Sequence, residues 1–284
     1  MTFALPGRGA RTRAALALAG AVVLAGALGL AAVAGCSSSS SGAAASGPSS
    51  SAASSSTNSL SGTVTVFAAA SLTGTFTQLG KDFEAAHPGV TVKFNFGGSD
   101  TLAASIVSGA PADVFAAAST ATMGTVTKAG AATGTPTVFV KNQLEIAVPP
   151  GDPKAIKTLA DLTKPGVKVA LCAPTVPCGA AAVKVEAAGK IKINPVTLET
   201  DVKSALTKVE LGEVDAALVY QTDVKAAGGK VEGMEFAEAA KAINNYPIAV
   251  LKDAPNAAAA QAFIAFVLSA HGRGVLSAAG FQNP

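Results

Sequence analysis

The chain has 284 residues but only two histidines, His87 and His271, two tyrosines, Tyr220 and Tyr246, three cysteines and no tryptophan. Arg8, Arg11 and Arg13 crowd the start, so Arg273 is the one arginine beyond them. Each shortage removes a class of function. Both histidines fall in loop-like or helix-end settings, and G-x-S-x-G, G-x-x-x-x-G-K, H-E-x-x-H and G-x-G-x-x-G are all missing. Common hydrolase, phosphate-loop, metalloprotease and dinucleotide sites are therefore not written here. Zinc is disfavoured too, because Cys172 and Cys178 have no third ligand beside them. Receptors for carboxylates usually use a guanidinium fork, and sugars or polyamines want an aromatic platform. This composition has little of either. It suits a ligand held by neutral dipoles.

What is present begins with an address. The three early arginines precede an apolar run, 14–34, that closes on Val33, Ala34, Gly35 and Cys36. The run exceeds the roughly 7–15 apolar residues of an ordinary signal peptide, so a membrane-spanning anchor is the alternative. The Ala-Gly-Cys ending resembles a bacterial lipoprotein cleavage box, with Val33 where leucine is commonest. That reading makes 1–35 a leader and Cys36 the lipidated first residue of the mature protein. Residues 37–61 are almost entirely Ser, Ala and Gly and cannot bury enough apolar surface to fold. As a flexible tether they span about 25–30 Å. The expected location is outside the cytoplasm, held to the outer face of the cell membrane. Without the leader, 18 basic residues face 18 acidic ones. A neutral mature chain disfavours nucleic acid as a partner.

From residue 62 onward strand-like and helical patterns alternate. Strands are expected at 63–67, 90–96, 112–118, 144–148, 167–171, 216–220 and 248–251. Helices carry Leu72, Phe76, Leu79 and Phe83; Leu102, Ile106 and Val107; Val202, Ala205, Leu206 and Val209; and the segment 257–268. This alternation predicts an α/β fold with mostly parallel sheets flanked by helices, and such folds bind ligands where strand ends meet helix starts. Ser71 falls at the first such joint, as a helix cap or as part of an anion cradle. Cys172 and Cys178 lie six residues apart around Ala-Pro-Thr-Val-Pro, and outside the cytoplasm two such thiols are expected to form a disulfide.

Seven segments in order, FAAASLT (67–73), GGSDTLAASI (97–106), GAPADVFAAAS (109–119), VPCGAAA (176–182), ETDVKSAL (199–206), ALVYQTDV (217–224) and YPIAV (246–250), resemble the molybdate-binding protein of ABC importers. The resemblance covers essentially all of 63–284. It implies a two-lobed periplasmic-binding-protein fold of type II, with lobe one formed by 62–142 and 247–284 and lobe two by 143–246. Two hinge crossings are implied, at 142–144 and 244–247. Position by position it implies that Ser71 and Ser99 give hydroxyl donors, Cys178 and Val202 backbone N–H groups, and Tyr220 a hydroxyl from the second lobe. The ligand would be molybdate or tungstate, with no cofactor, no free metal cation and no catalytic residue. The partner would be the importer's permease subunit, and the protein a monomer.

A fully deprotonated tetrahedral dianion needs donors alone, whereas protonated phosphate also needs an acceptor. Sulfate offers the same pattern as molybdate, so a receptor for sulfate is the alternative. A serine-dependent lipoprotein hydrolase using Ser71 is a third reading. Asp100 departs from the small neutral residue more common after that serine, and is expected to face away from the ligand. Glu199 and Asp201 read as solvated acids at a helix start, and Asp223 as a local cap.

Overall fold

The computed structural model describes residues 59–284. The leader, Cys36 and most of the tether lie outside the described residues. Two five-stranded sheets organise the rest. The first uses β1 (Gly62–Ala69), β2 (Val90–Gly97), β3 (Val114–Ala116), β4 (Ala132–Asn142) and β10 (Asn244–Leu251), in the order β2-β1-β3-β10-β4. The second uses β5 (Leu144–Val148), β6 (Val169–Cys172), β7 (Thr197–Glu199), β8 (Ala216–Tyr220) and β9 (Glu232–Met234), in the order β7-β6-β8-β5-β9.

The expectation of mostly parallel sheets holds, with one exception in each sheet. Four strands of each sheet run in one sense, but β10 lies antiparallel to β3 and β4, and β5 antiparallel to β8 and β9. Both sheets are mixed. The reversed strand takes the same place in each order. β5 begins two residues after β4 ends, while β10 brings the chain back to the first sheet. The two passages lie side by side, because Asn142 at the end of β4 pairs with Asn244 at the start of β10.

The helices are α1 (Thr73–Ala86), α2 (Ser99–Val107), α3 (Thr120–Lys128), α4 (Pro177–Gly189), α5 (Val202–Glu210), α6 (Gln221–Ala227), α7 (Ala257–Val267) and α8 (Ala270–Ala278). In α1 the expected apolar stripe is real: Phe76, Leu79 and Phe83 are fully buried, as is Leu72 just before it. Phe76 and Phe83 meet Phe263 of α7 edge to face, at centroid distances of 6.1 and 5.4 Å, a geometry aromatic quadrupoles favour. Strand alternation divides β1 between two cores. Val64, Val66 and Ala68 join the larger one, and Phe67 joins a smaller cluster with Leu102, Phe115 and Met123. The strand expected at 112–118 is shorter, Val114–Ala116, because Asp113 turns its carboxylate to the backbone N–H groups of Thr65 and Asn256.

Candidate functional site

Both sheets deliver the ends of strands to one small cavity. Ser71, Ser99, Cys178, Val202 and Tyr220 all line it, with Ala69, Gly97, Gly98, Ala118, Pro177 and Asp201 among their neighbours. The centre of a water-sized sphere has about 10 Å³ to move in. Among the described residues, no lysine or arginine belongs to the lining.

Ser71 is not the helix cap that its place in the sequence suggests. β1 continues to Ala69, a 3-10 turn at Ala70–Leu72 intervenes, and α1 starts at Thr73 with no side-chain cap. Its hydroxyl instead lies 2.9 Å from the Tyr246 hydroxyl. Ser99 is the first residue of α2, and its Oγ accepts the Ala118 N–H at 3.0 Å. Cys178 follows Pro177 in the first turn of α4 and is disulfide-bonded to Cys172 at the end of β6, with Cα atoms 5.7 Å apart. Val202 opens α5. Tyr220 ends β8, and its Oη accepts from the Asn244 side-chain amide at 3.0 Å. The first N–H groups of an α-helix have no partner within it, so Ser99, Cys178 and Val202 each bring donors and the positive end of a helix dipole to the cavity.

The acidic residues divide. Asp201 is not simply solvated: it lines the cavity and caps α5, its carboxylate accepting the N–H groups of Lys203 and Ser204 at 2.8 and 3.0 Å. Asp223 is fully buried and accepts the Tyr220 N–H, as a local cap does. Burial pushes its carboxyl up, and the Lys203 ammonium 3.0 Å away opposes that rise. Glu199 accepts the Thr197 hydroxyl and stays outside the lining, as does Asp100. One Asp100 oxygen is 3.5 Å from Thr175 Oγ1, and the other is buried without a hydrogen-bond partner.

Burial pushes the Tyr220 phenol well above its ordinary range, with Tyr246 and Asp223 adding to the effect. Burial raises Tyr246 as well. Both rings keep their protons and remain available as donors. His87 packs on Phe83, and His271 Nε2 lies 2.8 Å from Asp82 Oδ2. Neither lines the cavity, so Ser71 has no histidine base beside it.

Asn142, Asn244 and Tyr246 complete the site, and the sequence reading assigned them no role there. The usable signals were modest: Tyr246 is one of two tyrosines, and the asparagines fall at the expected crossings.

Two sheets joined by adjacent crossings, with a small cavity lined by hydroxyls and helix starts where their strand ends meet, define a solute-binding protein. The chain belongs to the bacterial extracellular solute-binding protein family, whose model matches residues 64–282. It is similar to the molybdate-binding protein ModA of Mycobacterium tuberculosis, 47% identical over 222 residues that make up 78% of this chain and 85% of that one. ModA of Escherichia coli is 33% identical over 211 residues, 69% of this chain and 80% of the relative. The periplasmic molybdate-binding protein of Azotobacter vinelandii shares the fold, with a TM-score of 0.67 at 22% identity over 78% of this chain and 99% of the other.

Proposed function

We propose that this protein captures molybdate, with tungstate as an equivalent ligand, and hands it to the permease of an ABC importer. The observation that carries the reading is that three hydroxyls and three helix starts line one cavity, with no cationic side chain among the described residues of its lining. Hydroxyls and first-turn N–H groups favour an anion that only accepts hydrogen bonds. The names of the relatives at 47% and 33% identity support molybdate as that anion. Ser71, Ser99 and Tyr220 act as hydroxyl donors, and Cys178 and Val202 as main-chain donors. Ligand binding draws together lobe one, 62–142 with 247–284, and lobe two, 143–246. A lipid on Cys36 holds the monomer at the outer face of the membrane.

A thermal-shift panel with molybdate, tungstate, sulfate and phosphate tests the reading. At 1,000 times its Kd a ligand adds about 4 kcal/mol of stability, so molybdate and tungstate should raise Tm by several degrees. A shift with sulfate alone would replace molybdate by sulfate. No shift with any of the four would sink the oxyanion reading.

A further inference from the structure

We infer that Asn142 and Asn244, the paired residues of the two crossings, set the direction of the hydroxyl protons in the cavity and so make the site reject protonated anions. This rests on the oxyanion reading above and adds the residues that enforce it.

A serine or tyrosine hydroxyl has one proton to donate and two lone pairs, and a donor placed behind its oxygen steers that proton away from itself. Each asparagine amide is oriented by a backbone group of fixed polarity. Asn244 Nδ2 donates to the Ala118 carbonyl at 2.8 Å, so nitrogen must stand there. The same nitrogen lies 3.0 Å from Tyr220 Oη. Tyr220 therefore accepts from Asn244, and we assign its own proton to the cavity its side chain lines and not to the neighbouring Tyr246 hydroxyl. Asn142 Oδ1 accepts the Gln143 N–H at 3.1 Å, which places Nδ2 on the opposite branch. That nitrogen donates to Thr222 Oγ1 at 2.8 Å and to Tyr246 Oη at 3.4 Å. Tyr246 Oη and Ser71 Oγ lie 2.9 Å apart, where either could donate; with Asn142 behind Tyr246 we assign the donor to Tyr246, which leaves the Ser71 proton for the cavity. Ser99 is set without an asparagine, because its Oγ accepts the Ala118 N–H at 3.0 Å.

On this assignment all three hydroxyls receive a hydrogen bond from behind and present a proton in front. Asn142, Asn244, Thr222, Ser99, Tyr220 and Tyr246 are buried, so bulk water does not scramble the arrangement. A ligand with its own O–H finds donor facing donor, a mismatch that leaves a buried polar group unpaired. Asn142, Asn244 and Tyr246 are not in the cavity lining. They are positioning residues, and their effect is on selectivity more than on contact.

Calorimetric titration of the full-length chain at pH 8 with molybdate, sulfate and hydrogen phosphate provides one test. The variants are Asn142→Ala, Asn244→Ala and Tyr246→Phe, the last keeping its buried ring. Each should narrow the preference for the better-bound fully deprotonated anion over hydrogen phosphate by about tenfold, the effect of one hydrogen bond to a charged group. Uniform weakening of all anions with an unchanged ratio would mean a purely structural role and overturn the inference. If molybdate fails and sulfate binds, the proposed ligand is wrong, and the sulfate-to-phosphate ratio still decides this point.

Neutron diffraction from deuterated protein decides it without any ligand. The Tyr246 deuteron should lie between Tyr246 and Ser71, and the Tyr220 deuteron should point away from Asn244. A Ser71 deuteron directed at Tyr246, or a Tyr220 deuteron directed at Asn244 or Tyr246, would overturn it.

Discussion

Ser71 and Ser99 show how little a hydroxyl's place in the sequence says about its work. Both stand near a helix start, yet neither caps the helix with its side chain: one oxygen is held by Tyr246 and the other by the Ala118 N–H. Ser71→Ala and Ser99→Ala should each weaken molybdate binding at least tenfold by calorimetry, since a hydrogen bond to a charged group is at stake. Asp201 offers a prediction of opposite sign. Asn caps as well as Asp, so Asp201→Asn preserves α5 and removes a negative charge beside the cavity. Oxyanion affinity at low ionic strength should rise, by about 1 kcal/mol or roughly fivefold. Unchanged affinity would mean that the charge is fully offset by the backbone it caps. The five lining residues were legible because hydroxyls and helix starts leave local marks, and because the motifs around them resemble a family. Asn142, Asn244 and Tyr246 were not legible, because their roles depend on partners 24 to 175 positions away.

At the scale of elements, the start of α4 is the most constrained joint. A disulfide ties it to the end of β6, and a Cβ on Gly179 would overlap the carbonyl oxygens of Cys172 and Ala173. Gly179→Ala should therefore destabilise the protein by about 3 kcal/mol in urea titration. Removing the cross-link with Cys172→Ser should cost about 2 kcal/mol by the loop-closure estimate. Intact protein should resist alkylation at both thiols until it is reduced. A second joint carries a pH signature. The 3-10 turn Leu159–Thr163 begins with Thr158 and Asp161 in a reciprocal cap. Lys164, with the N–H groups of Lys157 and Thr158, holds the Asp161 carboxyl well below the usual range. The folded chain binds that proton less readily than the unfolded one, so the contribution is complete above about pH 4 and fades as pH falls. Asp161→Asn should flatten this part of the Tm-versus-pH curve, by less than about 1 kcal/mol because solvent screens the pair. Several of these elements were readable in advance, since β5, β8 and the buried face of α1 follow plain periodicity. The reversal of β10 and β5 was not, because strand direction within a sheet is fixed by non-local pairing and leaves no periodicity of its own.

For the whole molecule, a ligand that lies between two sheets couples their stability. Urea unfolding in saturating molybdate should move to higher midpoint in proportion to RT ln(1 + [L]/Kd), as a single transition. Two separated transitions would mean that one sheet carries the ligand alone. The adjacent crossings give the coupling its geometry. Asn142 and Asn244 are paired across β4 and β10, Asn244 holds Tyr220, and Asn142 reaches Ser71 through Tyr246. All three cavity hydroxyls are thus within two hydrogen bonds of the fulcrum, Ser99 through Ala118, whose carbonyl Asn244 also holds. Any swing of one sheet against the other has its shortest lever arm here, so the outer rims part widely while Tyr220 and Ser71 barely separate. A bound anion would keep the hydroxyl contacts until late in opening and lose the one made by Val202 first. Release would then proceed as peeling from one side, with the last bonds to break being those anchored to the crossing itself.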